Sequence, residues 1–430
     1  MRVRQRGKAL ATALALLAVV AQGVPAQAAH TTGLGMTGVA EIGGGWLHSC
    51  ARHTDGAVSC WGSNLHGALG DGTAAHVRSF ARRVPGLPGD VVQLSVGNAH
   101  TCVLTAGGDV WCWGSNLNGQ ISVNLAAVVP SPTKLTVTTG AGAPVRFGWI
   151  GAGNVHTCAL STAGVPWCWG ENGASQLGRQ TMLPQDGPAA VDSPTGGWPA
   201  AVSIMDVGGD HSCALSGGSL YCWGYNTDGQ LGNGTTQHGV RPTRVTAANG
   251  YPGGGVTGLA LGLYHSCAAT QSRQLFCWGN NDFGRLGVDA ESGPATSTKV
   301  PDLVQGDPAV QDNGVGAAFR ADRVTAGQEH TCAWNLSGQA WCWGRNIHGQ
   351  LGDQLPSTQR NQPLFKVWQS SLPMLEPVGT FGAVSAGSNH TCAINSGGAA
   401  FCWGLGAAGQ LGDWNYASQA RPSTVMAPLL

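Results

Sequence analysis

The chain has 430 residues, of which 42% are hydrophobic and only 10% charged, with 22 basic against 22 acidic side chains. So sparse and balanced a charge excludes the polybasic surface that nucleic acid or an anionic membrane requires. Its 68 glycines and 22 prolines would suit a disordered chain, but 16 tryptophans call for a packed core, and the glycines are read as turns.

Arg2, Arg4, Arg6 and Lys8 precede an apolar run over residues 9–20, and Ala26-Gln27-Ala28-Ala29 offers a small-residue cleavage site. That order predicts a secretory signal peptide over residues 1–28. The run is shorter than the about 20 residues that span a bilayer, so no membrane insertion is expected. Removing the leader takes four of the 22 basic residues and no acidic one, leaving 18 against 22 and a charge near −4. A secreted or periplasmic protein without a nucleic-acid partner follows. Residues 29–38 read as a short linker. Within it Gly33-Leu34-Gly35-Met36-Thr37-Gly38 spells G-x-G-x-x-G, but no βαβ unit surrounds it, so no dinucleotide or other cofactor is expected.

From residue 39 to residue 430 one pattern returns seven times. Its second copy runs from Gly97-Asn98-Ala99-His100-Thr101-Cys102 through Trp111-Cys112-Trp113-Gly114-Ser115-Asn116 to Gly119-Gln120. The first cysteines are Cys50, Cys102, Cys158, Cys213, Cys267, Cys332 and Cys392, each two residues after a histidine. The second are Cys60, Cys112, Cys168, Cys222, Cys277, Cys342 and Cys402, each followed by Trp-Gly. A period of this size is that of a propeller blade.

In the second copy, residues 91–96, 101–104 and 110–113 read as strands, the last two joined by a turn at Gly107-Gly108. The turn is Asp55-Gly56, Gly217-Gly218, Ser337-Gly338 or Gly397-Gly398 in other copies, and Ser272-Arg273 in the fifth lacks glycine. After Trp-Gly comes Asn-x-x-Gly-Gln-Leu-Gly, clearest at residues 226–232 and 346–352. A fourth strand is expected around Pro242-Thr243-Arg244-Val245 and Pro422-Ser423-Thr424-Val425. Four strands per repeat predict an all-β, seven-bladed propeller. Ser122, Ser175 and Gly406 depart from the pattern, and residues 121–147, 179–199, 288–321 and 354–373 exceed what a blade connection needs. These stretches are expected to be loops that carry specificity.

The Gly-x-x-His-Thr and Trp-Gly-x-Asn-x-x-Gly-Gln-Leu-Gly strings resemble the repeat of the regulator of chromosome condensation family, over nearly all of residues 39–425. The resemblance implies a seven-bladed propeller, and functions that include nucleotide exchange on a small GTPase, chromatin association and, in secreted bacterial relatives, binding of an enzyme. The cysteine pair departs from the eukaryotic founding member and fits export instead.

Cysteines placed symmetrically about a hairpin turn face each other across the strands, so pairing within each repeat is expected, from Cys50 with Cys60 to Cys392 with Cys402. Each closes a loop worth at most about 3 kcal/mol in chain entropy. His-x-Cys with a second cysteine opposite also suggests a metal, but no repeat supplies a fixed fourth ligand. The resembling family keeps the histidine without the cysteines, which implies hydrogen bonding within the blade. The aromatics beside each second cysteine are expected to pack blade on blade rather than to bind sugars. Common hydrolase and nucleotide motifs are absent, leaving His53, His66, His76, His238 and His348 as scattered loop histidines and His30 at the mature terminus.

The expected function is a non-catalytic binding scaffold for a protein or cell-envelope ligand, engaged through face loops, with inhibition of an exported enzyme as its sharper form. An extracellular enzyme acting on polysaccharide and a guanine-nucleotide exchange activity are the alternatives. The apolar end at Val425-Met426-Ala427 is expected to close the ring against the blade begun by residues 39–42.

Overall fold

A computed structural model describes residues 34–180, 185–248, 251, 255–288, 297–304, 319–354 and 379–428. The seven repeats form seven antiparallel sheets, numbered here as blades 1 to 7 in chain order. Blade 2 is representative, with Val91–Val96, His100–Thr105, Val110–Ser115 and Val128–Lys134 from the axis outward. Blade 6 has three described strands, Arg323–Ala326, His330–Trp334 and Ala340–Gly344; the place of a fourth lies outside the described residues.

Hairpin register brings the cysteines together, with Cys102 opposite Cys112 and His100 opposite Gly114, and the same alignment recurs in every blade. All fourteen cysteines are paired within their blades, with Cα atoms 4.0 or 4.1 Å apart, and no cysteine is free. In the outer pairing the ladder skips the tryptophan, between Cys112 and Gly114 in blade 2, and Gly114 takes φ 109°. A side chain there would lie 2.6 Å from the Ala99 carbonyl oxygen, so this bulge requires glycine.

The cysteine face of one blade packs on the tryptophan face of the next. Cys50, Cys60 and Leu69 of blade 1 cluster with Trp113 of blade 2, and Cys392, Cys402 and Leu411 of blade 7 cluster with Trp61 of blade 1. Trp61, Trp113, Trp169, Trp223, Trp278, Trp343 and Trp403 have no accessible surface. The aromatics thus serve blade packing. The innermost strands line a central channel of about 270 Å³, and their free edges are capped by side chains. Leu94 N–H donates to Glu41 Oε2, Ala152 N–H to Ser95 Oγ and Leu261 N–H to Asp206 Oδ2, each at 2.8 Å. Edge groups that would otherwise be unpaired are satisfied across the blade boundary.

Three of the four long stretches are not simply loops. Val128–Lys134, Gln185–Ala190 and Thr298–Leu303 are outer strands inside them; the fourth, residues 354–373, lies almost wholly outside the described residues. Part of the expected linker is likewise structured. Leu34–Gly35 pairs with Met426–Ala427, Met36 is buried and its N–H donates to Val425 O at 2.7 Å. The C-terminal segment therefore meets residues 34–36, just ahead of the blade 1 strand that sequence pointed to. Across the same boundary Trp414 stacks on Phe80 of blade 1, with ring centroids 4.4 Å apart.

Candidate binding face

The repeat histidines form a closed circuit. His48 Nε2 lies 3.0 Å from Thr101 Oγ1, His100 2.9 Å from Thr157, His156 3.0 Å from Ser212 and His211 2.8 Å from Ser266. His265 lies 2.8 Å from Thr331, His330 2.9 Å from Thr391, and His390 returns to Ser49 at 2.9 Å. The bond therefore joins neighbouring blades and not, as the family resemblance implied, strands of one blade. Five of these hydroxyls donate to a carbonyl of the preceding blade, as Thr157 does to Gln120 O at 2.6 Å and Ser49 to Gln410 O at 2.9 Å. A hydroxyl has one proton, so there Nε2 must carry the imidazole proton and donate. Burial holds the pKa of His48, His100, His156, His211, His330 and His390 down to about 3, and that of His265 well below its ordinary value. These rings are neutral, and each spends its Nε2 on the bond across the blade boundary.

Carbonyls at this motif position also accept from the tryptophan of the next blade, and Gln230 O, Arg285 O, Gln350 O and Gln410 O take both bonds. Trp223 Nε1–H donates to Gln176 O, Trp278 to Gln230 O and Trp403 to Gln350 O, at 2.8 to 3.1 Å. The Gly-Gln-Leu motif is thus read by the next blade through its backbone, which explains why Ala68 and Arg285 can stand in the glutamine position. Trp113 bonds Ala68 O at 2.9 Å and Trp343 bonds Arg285 O at 3.0 Å. The motif asparagine ties its own loop, as Asn226 Oδ1 accepts from Leu231 N–H at 2.9 Å. In blade 7 a side chain at Gly406 would lie 2.0 Å from Ala417 O, so asparagine is excluded there. Ser175 takes the glycine conformation, with φ 65°.

The channel narrows to a mouth ringed by Gly45, Gly97, Gly153, Gly208, Gly262, Gly327 and Gly387. A Cβ on Gly45 would lie 2.5 Å from Gly97 O, and one on Gly327 2.2 Å from Gly387 O. Around this mouth each blade presents the residue before its histidine and the residue after its Trp-Gly. The second position is Ser63, Ser115, Glu171, Tyr225, Asn280, Arg345 and Leu405 in chain order. Backbone placement repeats while the chemistry does not.

Blades 3 to 6 are the polar arc of this face. Arg345 pairs with Glu329 and lies over Phe283, its guanidinium carbon 4.9 Å from the ring centroid. Asn280 donates to Asp228 Oδ1 at 3.1 Å, and Tyr225 sits between His238 and Tyr264. Blades 1 and 2 are apolar by contrast: Trp46, Leu47, Leu65, His66 and Ala99 line a shallow pocket, and Leu117 is 58% exposed.

The scattered histidines are dispersed: His53 bonds Ser59, His76 lies 3.4 Å from Asp71, His66 lines the apolar pocket, and His30 lies outside the described residues. His238 and His348 lie on the mouth-face loops of blades 4 and 6. Among the described residues no three His, Cys, Asp or Glu side chains converge as metal ligands. Sequence reasoning missed the mouth positions, although laying the seven copies over one another exposes them as the variable letters between invariant ones.

The profile of the RCC1-like domain matches residues 11–367, and that of the regulator of chromosome condensation (RCC1) repeat matches residues 383–410. Human E3 ubiquitin-protein ligase HERC2 is 30% identical over 317 residues, which are 73% of this chain and 6% of that protein. The ultraviolet-B receptor UVR8 of Arabidopsis thaliana is 28% identical over 352 residues, 81% of this chain and 72% of that one. The chain thus spans a small part of HERC2 and most of UVR8. Among solved structures, human WBSCR16 aligns with a TM-score of 0.74 at 22% identity, over 86% of this chain and 95% of its own. Prp20p of Saccharomyces cerevisiae aligns with a TM-score of 0.68 at 23% identity, over 85% of each chain. Repeat motif, blade count and profile agree that this chain belongs to the RCC1-like domain family.

Proposed function

We propose that the protein is an exported, non-catalytic scaffold that engages a protein or cell-envelope ligand through the face around the channel mouth. One observation carries this reading: one structurally equivalent position carries six different side chains over seven blades at the mouth, while the histidines below are identical and bonded from blade to blade. A repeated framework with one non-repeating face is what a recognition surface needs, since loops on a rigid scaffold carry specificity. Prp20p, which shares the fold, is described with Gsp1p and histones as binding partners, so proteins are a partner class this architecture admits.

Seven disulfides fit an oxidising compartment, as does the leader read over residues 1–28. An exported enzyme, held inactive by the scaffold, is the sharper form of the same reading. Nucleotide exchange on a cytosolic GTPase does not suit an exported chain. The test is to immobilise the mature protein, disulfides intact, against the secreted and envelope proteins of its source organism. A partner retained at 1:1 stoichiometry and inhibited on titration is expected. Turnover of an envelope polysaccharide, lost on replacing mouth-face carboxylates, would instead establish an enzyme.

A further inference from the structure

The junction between blades 3 and 4 is the junction between blades 5 and 6 with its plug missing. At the 5/6 junction Glu329, the residue before the blade 6 histidine, is neutralised by Arg345, the residue after the blade 6 Trp-Gly. That guanidinium rests on Phe283 from the blade 5 loop. At the 3/4 junction the residue before the histidine is again acidic, Asp210. The position of Arg345 is Tyr225, that of Phe283 is Ala174, and that of Asp282 is Gly173, which is exposed. The position of Asn280 is a second carboxylate, Glu171. Acid remains, and at the position of Arg345 there is no cation.

Asp210 keeps some accessible surface, but its carboxyl is closely surrounded, and Oδ1 reaches neither solvent nor, among the described residues, any hydrogen-bond partner. Burial first, and the charge of Glu171 second, push its pKa up to about 6. A covered carboxylate oxygen without a donor is costly, and a guanidinium or ammonium group relieves it best, through charge-assisted hydrogen bonds. The chain itself supplies such a group at the equivalent place two blades on.

We propose that the 3/4 notch is a receptor for one arginine or lysine side chain of the partner, seated between Glu171 and Asp210 beside Tyr225. This rests on the mouth face being the binding face, and it names what the partner must present there. The cation would take the part that Arg345 plays toward Glu329, with the small Gly173 and Ala174 in the positions of Asp282 and Phe283 and Glu171 Oε1 close over Gly173.

The probe is acetyl-Gly-Arg-Gly-amide, with the citrulline peptide as its neutral control, titrated into the mature protein at pH 7.5 and followed by NMR. The arginine peptide is expected to bind at least tenfold more tightly than the citrulline peptide. Asp210→Asn is expected to remove that preference. Tyr225→Arg, which installs the chain's own plug, is expected to abolish peptide binding while leaving circular dichroism and melting unchanged. Equal binding of the two peptides by the native protein, or an unaltered preference in Asp210→Asn, would overturn the proposal. Because the probe needs no natural partner, its failure is separable from a failure of the scaffold reading. A captured partner indifferent to Asp210→Asn would leave the scaffold standing and remove the notch.

Discussion

The belt between blades and the rim around the mouth are built from the same repeat, yet they vary in opposite ways. In the belt one imidazole, one hydroxyl and one tryptophan recur with distances that differ by a few tenths of an ångström. A few residues away, at the rim, serine, glutamate, tyrosine, asparagine, arginine and leucine occupy one backbone position. Belt residues must satisfy a neighbour that is itself a copy, so each change strands a buried donor on both sides. Rim residues make contacts that differ from blade to blade, such as Arg345 with Glu329 and Asn280 with Asp228, so no copy constrains the next.

The largest effect expected comes from the glycines that ring the mouth and pack against the belt histidines. Gly327→Ala sets a methyl 2.2 Å from Gly387 O and 2.6 Å from His330 Cε1, and should cost more than about 3 kcal/mol in denaturant unfolding or prevent secretion. An alanine variant as stable as the native protein would show that the mouth is not close-packed. Next is closure. Removing residues 422–430 takes away part of the outer strand Gln419–Thr424, the fully buried Val425 and the pairing of Met426–Ala427 with Leu34–Gly35, and should lower the melting temperature by more than about 10 °C. Unchanged melting would mean that the interblade belt alone closes the ring.

Acid sharpens the contrast further. A histidine held neutral, with a folded pKa near 3 against 6.5 unfolded, contributes stability above pH 6.5 that is lost as pH falls toward 3. The unfolded ring binds several more protons than the folded one, and the urea midpoint should drop steadily below pH 6.5. His156→Gln should remove about one proton from that slope. Asp206 acts in the other direction: burial raises its pKa to about 7, so its share of stability is present at low pH and falls away between about pH 4 and 7. Asp206→Ser, the residue type at Ser95 and Ser385, should remove that component.

The smallest effects belong to isolated departures from the repeat. Ser175→Gly relieves a left-handed residue and should stabilise by about 1 kcal/mol, read as a shifted urea midpoint. Leu117→Ala at the rim should change stability by less than about 0.5 kcal/mol.

Blade number, strand register and cysteine pairing were legible in the sequence, because His-x-Cys and Cys-Trp-Gly fix two strands and the turn between them. Outer strands were harder to place. Val128–Lys134 carries Pro130 and Pro132, which an edge strand tolerates but which read as loop. The partner of the repeat histidine could not be read at all, since its hydroxyl lies 53 to 66 residues away in six of the pairs and 341 away where His390 meets Ser49. The unmatched Asp210 emerges only when the 3/4 and 5/6 junctions are compared in space.

Belt and rim are separated most directly by measuring partner affinity and melting together on one panel of mature proteins. It holds the native chain, a rim variant combining Asp210→Asn, Tyr225→Ala and Leu117→Ala, and the belt variant His156→Gln. The account predicts that the rim variant melts within a few degrees of native and loses the partner at least tenfold, while the belt variant melts lower and, when folded, binds as native does. A rim variant that binds like the native protein would contradict it.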